Sequence, residues 1–149
     1  MDLRDPAAID RMKAGFAAQG AMKTLGATVE HVAPGAVTLA MLFRADLTQQ
    51  HGFIHAGIIT TVLDSACGFA AFTLMEEGAE VLTAEFKSSF LAPARGTRFR
   101  FEGRVLKAGR TLTFTEGRAV AIAEDGQETV ISTMTATMMS VRNRPGVTP

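Results

Sequence analysis

Apolar positions along the chain follow two different periods. Between Ile58 and Leu74, the residues Ile58, Ile59, Val62, Leu63, Ala66, Phe69, Ala70, Thr73 and Leu74 recur at three- and four-residue spacing, the period of a helix. This spacing predicts a helix from about His55 to Glu76, ended near Gly78. It is apolar nearly all round, so it is expected to be covered on several sides. A shorter stripe of Ile9, Met12, Lys13 and Phe16 predicts an amphipathic helix over about Pro6 to Gln19. Pro6 suits its first turn.

The rest of the chain alternates with period two. Thr24 to Val32 and Ala36 to Phe43 read as strands around the turn residues Ala33 to Gly35. In VLTAEFKSSFL (Val81 to Leu91) simple alternation places Leu82, Ala84, Phe86 and Phe90 on one face. Val81, Thr83, Glu85 and Lys87 fall on the other. TRFRFEGRVL sets Phe99, Phe101 and Val105 against Arg98, Arg100, Glu102 and Arg104. Lys107 to Arg110 reads as a hairpin turn, TLTFTEGRAVAIA and TVISTMTATMM as further strands, and Asp125-Gly126 as the signal between those two. The last four strands read as an antiparallel meander. A curved sheet wrapped around one long helix, an α+β architecture, is the simplest packing.

Composition narrows the function classes. A chain of 149 residues suits a single domain, with a core over about 24–141 and a tail at 142–149. Lys plus Arg equal Asp plus Glu at 15 each, so the basic excess of a nucleic-acid binder is missing. One cysteine, Cys67, forms no intramolecular disulfide. MDLRDPAAID is acidic and polar, unlike a signal peptide. Gly57 to Met75 is rich in Ala, Thr, Ser and Gly and carries an aspartate near its middle, which argues against a membrane span. A cytoplasmic protein without membrane or nucleic-acid partners is the expectation.

From Leu47 to Met75 the only formally charged side chain is Asp64. An isolated carboxylate in apolar surroundings is costly unless it is satisfied. His51 and His55 are four apart, but Gly52 between them argues against a helix there and no nearby carboxylate completes a metal site. A second reading is hydrolytic. His55-Ala56-Gly57 opens the helix, where backbone N–H groups lack internal partners and meet the positive end of the dipole. A polarising N–H and a carboxylate form a minimal hydrolytic pair. Ala56 and Asp64 are eight residues apart, about 12 Å along one helix axis, so the pair requires a second subunit. Against this, Asp64 also suits an N-cap of a helix beginning at Ser65. His31, His51 and Ser65 carry no assigned role.

HAGIITTVLDSACG, together with EFKSSFLAPARG and GRVLKAGRTLTF, resembles the hot-dog-fold acyl-CoA thioesterases of the PaaI-type branch, from about Leu25 to Val141. The resemblance implies an acyl-CoA substrate, no cofactor and no metal. It implies Asp64 as the catalytic carboxylate and His55 as the histidine at the helix head. The polarising N–H falls on Ala56 with Gly57 beside it, the polar residue six positions before the histidine on Gln49, and a water-positioning hydroxyl on Thr83. Two departures stand out: Ala56 replaces a glycine, and Gln49 replaces an asparagine, with Gln50 next to it. The family also implies a homodimer with shared sites, paired into a tetramer. Arg95, Lys107 and Arg110 are candidates for the coenzyme phosphates. A non-catalytic acyl-CoA-binding module and an enoyl-thioester hydratase are the alternatives on the same fold.

Overall fold

The computed structural model describes residues 1–147. The element order is α1 (Ala8–Ala18), α2 (Gly20–Leu25), β1 (Thr28–Ala33), β2 (Ala36–Leu42), a short 3-10 turn at Ala45–Leu47, α3 (Ala56–Phe72), β3 (Glu80–Phe90), β4 (Arg98–Ala108), β5 (Leu112–Ile122) and β6 (Glu128–Val141). The six strands form one antiparallel sheet in the order β1-β2-β4-β5-β6-β3. α3 packs against β2, β3, β4, β5 and β6, so the sheet wraps the helix. The α+β expectation holds.

Glycine decides how closely helix and sheet approach. Gly103 on β4 pairs with Gly117 on β5 directly beneath α3. A Cβ on Gly103 would lie 2.5 Å from the carbonyl carbon and oxygen of Ala66. One on Gly117 would lie 2.8 Å from Cys67 Sγ and Leu63 Cδ1. Real Cβ atoms do not come this close, so the helix backbone rests on a floor that only glycine permits. Phe99, Phe101, Leu39, Met41, Leu63 and Met134 fill the buried space around this contact.

Four sequence expectations change. The predicted N-terminal helix is shorter, and a second helix, α2, occupies residues assigned to the start of the first strand. Gln19 is extended (φ −77°, ψ 108°) and breaks the helical run. Gly26 then closes α2 in the left-handed region, which delays β1 to Thr28. α3 ends at Phe72 rather than near Gly78. Residues 73–75 continue as turns, and the Thr73 hydroxyl donates to the Ala70 carbonyl.

The four-strand meander is also incomplete. β4, β5 and β6 follow one another, but β3 does not pair with β4. It crosses to the far side and pairs with β6, becoming an edge strand. Alternation alone carries no information about which neighbour a strand takes.

Finally, a β-bulge between Thr83 and Glu85 reverses the face assignment within β3. Thr83 pairs with Met138 and Phe86 with Ala136, both buried toward α3. Thr83, Phe86 and Phe90 therefore share the helix side, where strict alternation separates Thr83 from the two phenylalanines.

Part of the expected tail, residues 148–149, lies outside the described residues.

Candidate active site

The head of α3 is built by its own loop. Thr48 and Ile54 form an isolated antiparallel bridge, Gln49 N–H donates to the Phe53 carbonyl, and Gly52 takes a φ of +84° to close the turn. The Gln49 side-chain oxygen accepts the His51 and Phe53 N–H groups. Gln49 thus holds the loop that delivers His55, and it also lines an adjoining cavity. Gln50 is exposed.

His55 is the N-cap of α3. Its Nδ1 accepts the Gly57 N–H at 2.8 Å, so in the neutral ring the proton sits on Nε2. This is an imidazole in the place of the usual capping hydroxyl or carboxylate. A Cβ on Gly57 would come within 3.1 Å of that Nδ1, which explains a glycine at this position. The Gly57 N–H is therefore engaged. The Ala56 N–H has no acceptor among the described residues. Ala56 is absent from the positive-φ residues, so alanine in place of glycine leaves the donor free at no backbone cost. Ala56 lines a cavity of about 510 Å³ together with Gln49, Phe53, Ile59, Phe90, Pro93 and Ile131, among others.

Asp64 sits mid-helix, which removes the N-cap reading. It is half-buried, and the Thr83 Oγ1 on β3 donates to its Oδ1 at 2.9 Å. Burial pushes the Asp64 carboxyl above its ordinary value, and the Thr83 hydrogen bond partly opposes this. Ser65 beside it donates to Gln19 Oε1 at 2.9 Å. Cys67, one turn on, is buried and its thiol is pushed up to about 12, chiefly by desolvation. It is no nucleophile at neutral pH.

The structure therefore assembles the sequence candidates into two groups. Gln49, His55, Ala56 and Gly57 form one at the helix head, and Asp64 with Thr83 forms the other. Asp64 does not line the cavity that Ala56 lines. Among the basic candidates, the Arg95 guanidinium lies 5.1 Å over the Phe53 ring, beside the helix-head group. Arg110 lines a separate cavity of about 250 Å³ at the other end of α3, with Arg4, Arg142, Thr111, Thr113 and Ser140. Lys107 lines neither cavity. Arg4 and Arg142 had no signal in the sequence, because they reach this place from the two ends of the chain.

The model of the thioesterase superfamily matches residues 51–129, more than half of the chain. The chain belongs to the thioesterase superfamily. Its matched region holds the helix head, Asp64 and Thr83. A thioesterase family protein from Silicibacter pomeroyi is 54% identical in sequence, with a TM-score of 0.90 over 91% of this chain and 99% of that one. PaaI of E. coli, at 14% identity, shares the fold with a TM-score of 0.79 over 93% of this chain and 96% of its own. The architecture is the α+β hot-dog fold. Among curated relatives, a Saccharolobus solfataricus protein with a provisional esterase name is 31% identical over 63% of this chain and 66% of its own length. Human acyl-coenzyme A thioesterase 13 is 30% identical over 59% of this chain and 63% of its own length. The matches to these two curated relatives span just under two thirds of their length.

Proposed function

We propose that this member of the thioesterase superfamily hydrolyses acyl-CoA thioesters to the free acid and CoA, at sites shared between two copies of the chain. The observation that carries this reading is the separation of two complementary groups. A free N–H stands at the head of α3, and a half-buried carboxylate stands eight residues on, about 12 Å along the axis. One copy cannot bring both to a single carbonyl, whereas a two-fold pair forms two such sites.

The edge supports the pairing. β3 has a partner on one side only, and Leu82, Phe86 and Phe90 on it are 37%, 45% and 51% exposed. An 11-residue open strand with exposed apolar side chains is a template for another strand. Pairing of dimers into a tetramer remains part of the proposal on family grounds alone.

Chemically, the Ala56 N–H polarises the thioester carbonyl and stabilises the oxyanion. Asp64 from the other chain takes a proton from water, or attacks to give a mixed anhydride that water then opens. The carbon–sulfur bond breaks and the thiolate leaves. A thiol pKa of roughly 8.5, by analogy with cysteine, makes acid assistance unnecessary. A carboxyl raised by burial is a better base near neutral pH than an ordinary one. Thr83 orients Asp64, and His55 fixes the helix head through Gly57. The coenzyme phosphates would meet Arg110 with its neighbours Arg4 and Arg142, and Arg95 at the helix-head end.

The test is complementation. Asp64→Ala chains and Ala56→Pro chains, the latter without the donating N–H, should each be nearly inactive in a thiol-release assay over a panel of acyl-CoAs. Co-refolded mixtures should regain activity at one site per mixed dimer. Mixed dimers that form yet stay dead would sink the shared site.

A further inference from the structure

We infer that Ser65 is a catalytic residue whose hydroxyl oxygen holds the attacking water beside Asp64, and that Gln19 is the positioning residue that turns Ser65 to that task. The inference rests on the thioester-hydrolase reading above and commits it to the general-base route.

Ser65 departs from the habit of its helix. A serine or threonine inside a helix commonly donates its hydroxyl proton to the carbonyl four residues back. Thr60 does so to Ala56 at 2.9 Å, and Thr61 to Gly57 at 2.8 Å. Ser65, the third hydroxyl residue of α3, donates instead to Gln19 Oε1 at 2.9 Å, 46 residues away in the chain. Gln19 is equally out of pattern. It stands at the N-cap of α2, yet its side chain caps nothing there. The helical break at Gln19 leaves that side chain to Ser65. Gln19 lies outside the matched family region of residues 51–129, so the support comes from the chain's N-terminal segment.

An amide oxygen only accepts, so the direction of this bond is fixed. A hydroxyl has one proton and two lone pairs. With its proton given to Gln19, Ser65 Oγ is left as an acceptor. Asp64 is prepared in the same sense. Its Oδ1 takes the Thr83 proton, and its Oδ2 receives no donor among the described residues. A water has two protons to give. One acceptor that removes a proton and a second that only holds one fix the orientation of the water and turn its oxygen lone pair away from both.

The same two residues are the ones that solvent reaches. From Val62 to Met75, Asp64 and Ser65 alone are not buried. Neighbouring helical residues point about 100° apart, so the two oxygens do not meet directly and a water bonds to both. In the reaction, Asp64 Oδ2 takes one water proton as the water oxygen bonds to the thioester carbonyl carbon, whose own oxygen is held by the Ala56 N–H of the other chain. Ser65 keeps the second water proton in a hydrogen bond. The carbon–sulfur bond then breaks, the thiolate leaves with the electron pair, and the Asp64 proton passes to solvent.

The experiment measures kcat and KM by thiol release, on the acyl-CoA that the wild type turns over fastest, in Ser65→Ala, Gln19→Leu and the double variant. Circular dichroism and thermal midpoints verify folding. Alanine is a strong helix former, so Ser65→Ala is expected to fold. It should lower kcat by about tenfold, the worth of one hydrogen bond, and leave KM within about twofold. Gln19→Leu should cause a similar fall, because Ser65 then swings to the Thr61 carbonyl four residues back. The double variant should fall no further than Ser65→Ala. A single turnover with enzyme in excess, in water labelled with heavy oxygen, should place the label in the free acid. Folded variants with lower thermal midpoints but kcat within about twofold of the wild type would reduce the bond to an anchor for α1 and overturn the inference. A loss expressed in KM alone, additive losses, or an unlabelled acid would overturn it as well. A wild type that releases thiol from no acyl-CoA of the panel overturns the thioesterase reading and this inference with it.

Discussion

The Thr83 hydroxyl on β3 and the Asp64 carboxylate on α3 meet at 2.9 Å, across the bulge that turns Thr83 toward the helix. The bond favours the ionised form of Asp64, whereas burial opposes it. Thr83→Val keeps the shape and removes the donor. Turnover should fall by roughly tenfold to a hundredfold, the worth of a hydrogen bond to a charged group. The acid limb of the pH–rate profile should move to higher pH, because the lowering influence is gone. Thr83→Ser should restore both. A limb that stays put in Thr83→Val would show that the hydroxyl does not tune Asp64.

Asp64→Asn should reduce turnover by orders of magnitude and at the same time stabilise the fold at neutral pH. The sign follows from linkage. The folded Asp64 pKa is raised, so the folded protein holds its proton more tightly than the unfolded chain. That contribution is fully present below the unfolded carboxylate value and is lost as pH rises through the folded one. Thermal midpoints of the two proteins should therefore diverge above that pH, with the variant higher, and converge in acid. Equal midpoints at all pH values would argue against a strained carboxylate.

Gly103→Ala tests the helix–sheet contact. The new Cβ would meet the Ala66 backbone at 2.5 Å, and neither backbone is free to retreat. A loss of about 1–3 kcal/mol or more is expected, read from denaturant midpoints. Gly20→Ala, whose Cβ meets nothing within 4 Å, is the control and should be near neutral. Similar behaviour of the two variants would contradict the close approach.

Arg110→Ala should raise KM for an acyl-CoA several-fold and leave an acyl-pantetheine, which lacks the nucleotide, nearly unaffected. Arg142→Ala carries a separate cost, because Arg142 also pairs with Glu76 at 2.7 Å. Equal effects of Arg110→Ala on both substrates would remove the phosphate contact.

By itself the sequence determined most of the element types and marked the candidate chemistry. The helical period around Ile59, Val62 and Leu63 marked α3, alternation marked the strands, and the isolation of Asp64 in an apolar run marked a carboxylate needing a role. Those features are local, and local periodicity reads them. The tertiary structure alone decided how the strands are ordered, because β3 prefers β6 over its chain neighbour β4 and alternation is silent about partners. It decided that Thr83 faces α3, because one bulged residue inverts every face after it. It decided that Gly57 is spent on His55 and Ala56 is left free, since that choice lies in the capping geometry rather than in residue type. It also gathered Arg4, Arg110 and Arg142 around one cavity and laid α1 over α3 beyond Asp64. Contacts between distant segments arise only when the chain closes on itself, and no spacing along it records them.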